Sequence, residues 1–247
     1  VDFLELFNVS EKYLELVNPS SPEKVLEVGR VLGLNPKSRL IDFGCGHGEP
    51  LALWAEAYGI SGVGIEIREN ACNRARAKMA ARGFADRIEI VCMDAAKYEF
   101  PEHSFDVATC LGASFIWKGF RPTVAAMSRA IVPGGKLAIG EPYWLTADVP
   151  PEYAQSMGFH SETELLRIVR EEGYELEYIV RASLDDWDRY MSGNWYGLMR
   201  WLEENPDHPA RKDVIERLRS SQDEYLRYER PYVGWAIWVL SPAQAPA

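Results

Sequence analysis

Apolar and polar positions change rhythm twice along the 247 residues. From Val1 to Val17, apolar residues recur at three- and four-residue steps: Phe3, Leu4, Leu6 and Phe7, then Tyr13, Leu14 and Val17. This spacing predicts one or two short amphipathic helices. Asn18-Pro19-Ser20-Ser21-Pro22 interrupts it. Ser20 with Glu23 fits a capping box and Pro22 suits a first helical turn, so a further helix is expected to about Leu34. From Ser38, short apolar runs alternate with longer polar stretches. Strands are predicted at Arg39–Phe43, Gly62–Ile67, Arg87–Cys92, Phe105–Cys110 and Lys136–Gly140. Helices are predicted at Pro50–Tyr58, Arg68–Arg82 and Arg121–Ile131. Such alternation implies right-handed crossovers and a parallel sheet covered on both faces.

Beyond Glu141 the pattern loosens. A loop rich in Pro, Tyr and Trp leads to a helix at Glu162–Glu172 and a sixth strand at Tyr174–Ala182. Helices at Asp186–Glu203 and Ala210–Tyr228 precede a last strand at Tyr232–Leu240 and a tail expected to fray. The chain is read as one α/β unit over 1–247. It comprises a helical cap (1–20), a core (21–183), a helical insertion (184–230), and the last strand with its tail (231–247).

A hydrophobic fraction of 47% is enough for a sizeable core. A net charge of −10 weighs against nucleic acid and against a polybasic membrane anchor. No apolar run is long enough to span a bilayer, and no leader pattern is visible. Cys45, Cys72, Cys92 and Cys110 form no CxxC pair and show no zinc spacing. They read as reduced thiols, which points to a cytoplasmic protein. No carboxylate cluster points to a metal.

The chemistry begins at Asp42-Phe43-Gly44-Cys45-Gly46-His47-Gly48-Glu49-Pro50, where a strand turns into a helix. Glycine permits positive φ there and lets a ligand approach the backbone, and the helix start offers free N–H groups to an anionic group. A glycine turn alone is weak, but acids follow in order. Glu66 closes the second strand, where a doubly wound fold binds ribose hydroxyls, and Asp94 follows the third, where a carboxylate can accept from an adenine amino group.

With these residues on the page, the chain resembles the class I S-adenosylmethionine-dependent methyltransferases. The resemblance rests on Ile41–Gly48, Gly64–Ile67, Asp94–Ala96, Phe105–Val107 and Val132–Leu137, and covers roughly Val25 to Glu141. Gly140–Trp144 and Trp187–Pro206 further resemble a bacterial subgroup of uncharacterised small-molecule methyltransferases. The resemblance implies a Rossmann-like seven-stranded sheet ordered 3-2-1-4-5-7-6 with strand 7 antiparallel, and S-adenosylmethionine as cofactor. It implies that Gly44, Cys45, Gly46 and Gly48 line the methionine part and that Asp42 supports the loop and the amino group. Glu66 would hold the ribose diol, with Ile67 on the adenine and Asp94 and Ala95 at its edge. Cys110 and Leu111 would face the cofactor. A nicotinamide-dependent dehydrogenase is the rival reading, but the position of its third glycine is Glu49.

The expected reaction is in-line transfer of a methyl group to a small-molecule nucleophile. A protein or RNA methyltransferase and a non-catalytic cofactor-binding module stand as alternatives. The active site of an open α/β sheet lies beyond the carboxyl ends of its strands. There Glu141 is the leading general-base candidate, followed by Tyr143. Ser114, Trp117, Tyr143 and Trp144 are the expected substrate contacts, joined by Trp195 from the insertion. His47 and the cysteines are expected to pack rather than react. The N-terminal segment and the aromatic insertion around Trp187 to Trp201 are expected to roof the strand ends near Tyr143.

Overall fold

The computed structural model describes residues 3–244, with the side chain of Phe3 outside the description. Val1 and Asp2, where the first predicted helix begins, and the last three residues of the predicted tail also lie outside it. Helix α1 (Phe3–Ser10) is followed by α2 (Pro22–Leu32), whose N-cap is Ser21, one residue later than the predicted capping box. The alternating core then runs β1 (Arg39–Phe43), α3 (Glu49–Tyr58), β2 (Ser61–Glu66), α4 (Glu69–Ala81), β3 (Ile88–Cys92), β4 (Phe105–Leu111), α5 (Phe120–Ser128) and β5 (Ile131–Trp144). There follow α6 (Pro151–Met157), β6 (His160–Ser161), α7 (Glu162–Glu171) and β7 (Tyr174–Arg181). The long α8 (Leu184–Glu204), α9 (Arg211–Glu224), a π turn (Tyr225–Glu229), the single turn α10 (Arg230–Tyr232) and β8 (Val233–Pro242) complete the chain.

The sheet order is β3-β2-β1-β4-β5-β8-β7, with β6 paired to β5. Only β8 runs antiparallel to its neighbours. Once the two-residue β6 is counted, this is the order implied by the resemblance. Strand β1 explains why the sheet reads as continuous apolar runs. Ile41 and Phe43 enter one core, shared with α5 and α7; Leu40 enters the other, shared with α2, α3 and α4. A third, smaller core joins Val9 of α1, Leu198 and Leu202 of α8, and Val214 and Leu218 of α9.

Three departures from the sequence pattern have physical causes. Strand β5 continues past Gly140 through Pro142 to Trp144, because β8 pairs with it along that whole length. The turn α6 forms in the predicted loop, where Tyr153 stacks on Tyr228 at 4.4 Å. The start of the predicted tail is paired rather than frayed: β8 extends to Pro242, and the Ala243 N–H donates to the Gly173 carbonyl at 2.9 Å.

Helix α1 is seated on α8 by close backbone approach. A Cβ at Gly197 would lie 2.3 Å from the Ser10 carbonyl oxygen and 2.7 Å from that of Val9. Replacing a helical glycine by alanine ordinarily stabilises by about 0.5–1 kcal/mol. Here the sign reverses. Gly197→Ala is expected to destabilise by about 1–3 kcal/mol, because backbone rather than a flexible side chain must move. Denaturant unfolding measures this, and hydrogen exchange should accelerate in α1; a stabilised variant would show that the two helices are not packed this way.

Candidate active site

The strand order reverses between β1 and β4, which opens a crevice at their carboxyl ends. Beneath it, Thr109 Oγ1 donates to Asp42 Oδ1 at 2.7 Å, across strands in register. Asp42 is buried, and that burial, opposed by the Thr109 hydrogen bond and aided by Glu66, pushes its carboxyl up to about 7. Above it the glycine turn folds back over β2. Gly44 and Gly46 take φ of 74° and 54°, and a Cβ on them would lie 2.6 Å from Ala113 Cβ and 2.4 Å from Val17 Cγ2 respectively. Side chains there would fill the space that the bare turn leaves beside the cleft.

Glu66 ties this turn down. Its Oε2 accepts from the Gly46 N–H at 3.0 Å, and its Oε1 accepts from the Arg68 backbone N–H at 2.9 Å and from Arg68 Nε at 3.1 Å. Arg68 Nη1 donates onward to Glu11 at 2.7 Å. His47 Nδ1–H donates to the Leu14 carbonyl at 2.8 Å, and burial with the nearby Arg74 charge pulls His47 down to about 4, so the ring is neutral. Glu49, which replaces the third glycine of a dinucleotide fingerprint, is buried and paired with Lys78 and Arg82 of α4 and the turn after it.

Two adjoining cavities result. The first, of about 350 Å³, is lined by Gly44, Gly46, Glu66, Ile67, Asp94, Ala95 and Leu111. Leu4, Phe7 and Glu11 close it from the N-terminal side. Ile67 is an apolar side chain left 52% exposed in this cleft. The second cavity, of about 500 Å³, contains Ser114 and Glu141 and is covered by Trp187, Tyr190 and Met191 of α8. Val17, Gly112, Phe115 and Tyr190 belong to both.

Glu141 sits just past the end of β4, only 7% exposed. Burial pushes its carboxyl up to about 7, against the Ser114 hydroxyl that hydrogen-bonds to it.

Several expected contacts lie elsewhere. Tyr143, two residues beyond Glu141 on the same face of β5, is buried in the core against Trp238 and lines neither cavity. Trp144 packs on Tyr153 and Phe159, behind the second cavity. Trp117 stands edge-on to Phe43 at 5.1 Å, and Trp195 donates to Ser221 and packs on Tyr225. Cys45 and Cys110 are buried in the two sheet cores, Asp42 is enclosed below the turn, and Gly48 caps α3 against α4. Of the expected roof, α1 and the first half of α8 cover the cavities, whereas Trp195 and Trp201 serve the helical core. Sequence reasoning missed Glu11, Val17, Asn18, Arg68 and Glu229, whereas Tyr190 falls within the expected aromatic roof. The arginine two residues after the ribose-type acid was the one local signal available.

The sheet, the glycine turn and the acid-bearing cleft define a protein of the nucleoside-cofactor α/β type. Residues 40–135 match the methyltransferase domain family model. Over 97% of its length the chain is 34% identical to YjhP, an uncharacterized protein of Escherichia coli (strain K12), covering 99% of it. It is 30% identical over 84% of its length to the 27-O-demethylrifamycin SV methyltransferase of Amycolatopsis mediterranei (strain S699), covering 78% of that chain. A crystal structure of a methyltransferase from Geobacter sulfurreducens in complex with S-adenosylhomocysteine superposes with a TM-score of 0.90 at 36% identity, covering 98% of this chain and 99% of that one. The chain belongs to the class I S-adenosylmethionine-dependent methyltransferases, and S-adenosylmethionine is its cofactor.

Two measurements follow from the site. Glu66→Ala removes the acceptor of the Gly46 N–H and leaves Arg68 with Glu11 alone. It should weaken S-adenosylhomocysteine binding by about 1–3 kcal/mol, read by calorimetry; an unchanged affinity would remove Glu66 from the site. The second concerns Glu141. A carboxyl raised from its ordinary value near 4.5 to about 7 contributes stability that is fully present below pH 4.5 and is lost as pH rises through 7. Glu141→Gln removes that dependence. The variant's stability relative to the parent should therefore climb between pH 4.5 and about 7.5, by about 1–3 kcal/mol. Other groups raised in the same range cancel in this difference. A pH-independent difference in melting would show that Glu141 is not held neutral by the fold.

Proposed function

We propose that the chain methylates a small molecule held in the cavity beneath α8, with Glu141 receiving its proton. The observation that carries this reading is the pairing of two chambers across a shared seam at Val17, Gly112, Phe115 and Tyr190. A volume of about 500 Å³ suits a small organic acceptor. Helix α8 covers this chamber, and Met157 and Phe159 add wall after α6, which favours a small acceptor over a macromolecular one. The name of the rifamycin methyltransferase relative, a small-molecule enzyme, supports the same class of acceptor.

The first chamber's residues fit S-adenosylmethionine. The bare Gly44 and Gly46 backbone would lie along its methionine part. Glu66 Oε2 keeps a free lone pair beyond the Gly46 N–H and can accept from a ribose hydroxyl. Ile67 would pack on the adenine, with Asp94 and the Ala95 N–H at its edge and Leu111 at the seam. When bound, the sulfonium supplies an already electrophilic methyl group.

The protein's own contribution is positioning, which can be worth roughly 7–11 kcal/mol. Tyr190 and Phe115 bound the passage between chambers. Glu141 holds a carboxyl balanced near neutrality, so it can take a proton from an acceptor that arrives protonated.

With labelled S-adenosylmethionine and fractionated cell extract, label is expected in a small-molecule fraction, in a product heavier by one methylene. Glu141→Gln should reduce kcat/KM for that acceptor by about 10²–10⁴-fold while S-adenosylhomocysteine affinity holds. Label appearing only in protein or RNA would overturn the reading.

A further inference from the structure

Around the second cavity, three lining side chains carry hydrogen-bonding capacity that the protein does not use: Glu141 and Asn18 each hold an unmatched acceptor, and Trp187 an unmatched Nε1–H donor. Glu141 is 7% exposed, and its Oε2 is fully buried with no donor among the described residues. Asn18 is 6% exposed. Its Nδ2 donates to the Leu111 carbonyl at 3.4 Å, which assigns the amide's orientation, and its Oδ1 is likewise buried without a donor. Both side chains line the same cavity, and Leu111 lines the adjoining cofactor cleft, so Asn18 is anchored at the seam. An unmatched buried acceptor is costly, so the two oxygens favour a ligand group that brings donors, while the Trp187 N–H is left for an acceptor elsewhere on the ligand.

The remaining wall narrows the ligand further. Glu229 reaches the cavity from the π turn, which Asp188 braces by accepting from Tyr225 at 2.6 Å and Arg230 at 2.9 Å. Phe115, Phe159, Trp187, Tyr190 and Trp235 supply ring surface. Lys118 is the one cationic side chain among the lining residues, and it is exposed. A hydroxyl acceptor brings a single donor and leaves one of the two buried oxygens unmatched. A carboxylate acceptor brings none and adds negative charge beside Glu141 and Glu229. An amine brings two donors, or three when protonated, and its cationic form is attracted to carboxylates and ring faces alike.

We propose that the methyl acceptor is the nitrogen of a small amine, seated between Glu141 Oε2 and Asn18 Oδ1, with its apolar part against the aromatic wall. This deepens, and rests on, the assignment of the cavity as the acceptor site. The amine enters as an ammonium and passes one proton to the Glu141 carboxylate, from which it leaves to solvent. The freed nitrogen lone pair forms the new N–C bond as the methyl–sulfur bond breaks, and that bond's electron pair returns to sulfur. The positive charge moves from sulfur to the methylated nitrogen, which remains between the same two oxygens. Burial, reinforced by Glu224 and opposed by Arg217, pushes the Glu229 carboxyl up to about 7, so an arriving cation also restores its charge.

The test uses three probes of one framework, benzylamine, benzyl alcohol and benzoate, titrated by calorimetry into the full chain saturated with S-adenosylhomocysteine. Benzylamine is expected to bind at least about tenfold more tightly than either of the others. Glu141→Gln and Asn18→Ala should each weaken it about tenfold, with S-adenosylhomocysteine affinity unchanged. Benzyl alcohol or benzoate binding as tightly as benzylamine overturns the proposal, as does benzylamine binding that ignores both substitutions or is absent. The parent-protein comparison stands even where a variant fails to fold. Failure to bind S-adenosylhomocysteine at all, measured first, would instead sink the cofactor-site assignment and the inference with it.

Discussion

The Glu66 carboxylate is the joint on which the site depends. It closes β2, and within one buried group it meets the Gly46 N–H of the turn and both the backbone and side chain of Arg68. Arg68 carries the link to Glu11, in the turn that follows α1. Floor and roof of the first chamber are therefore one charged network, strengthened by the low dielectric around it. Removing one member of such a buried set leaves an uncompensated charge, which costs far more than an exposed ion pair contributes. Two further links run parallel to it: the neutral His47 ring and the Arg74 guanidinium both donate to the Leu14 carbonyl. The segment between α1 and α2 is thus bound to the glycine turn from several sides.

The sheet decides where this network has something to act on. Because the order reverses between β1 and β4, no helix crosses above that point, and the crevice stays open to ligand. Strand β5, lengthened by its pairing with β8, carries Glu141 to the edge of that crevice and Tyr143 past it into the core beside Trp238. Two residues on one face of one strand therefore have unrelated environments. The fold bears the cost of three carboxyls, Asp42, Glu141 and Glu229, held up near neutrality by burial. Asp42 has a structural use under the turn through Thr109. The other two face the second chamber.

Helix α8 makes the chamber from what would otherwise be a groove. Its first half presents Trp187, Tyr190 and Met191 downward, while its second half, with Trp195 and Trp201, builds a separate core with α1 and α9. Glycine at 197 allows α1 to lie against it at backbone contact. The capping box of Ser183 and Asp186, with Lys24 of α2 paired to Asp186, fixes where the helix starts and hence which rings face the cavity.

The alternation of strand and helix, the glycine turn, and the acids Glu66 and Asp94 at successive strand ends were legible because they are local. Strand periodicity, turn conformation and the distance between consecutive strand ends all follow from nearby residues. Glu141 was legible for the same reason, as an acid at the end of a core strand. Tyr143, Trp117, Trp144 and Trp195 read equally well as pocket wall, because an aromatic residue has the same local signature in a core and in a cavity. Which it becomes is decided by what packs against it: Trp238, Phe43, Phe159 and Tyr225 in these cases. Asn18, Glu11 and Glu229 carried no local signal at all. The first two sit in turns of the N-terminal segment, and the third in a π turn that replaces the last turn of a predicted helix. Sequence alone thus determined the sheet, the cofactor class and the strand-end acids, since those depend on neighbours in the chain. Only the tertiary structure decided the second chamber and its unmatched acceptors, since that cavity is assembled from elements distant in the chain, whose side-chain directions are set by mutual packing.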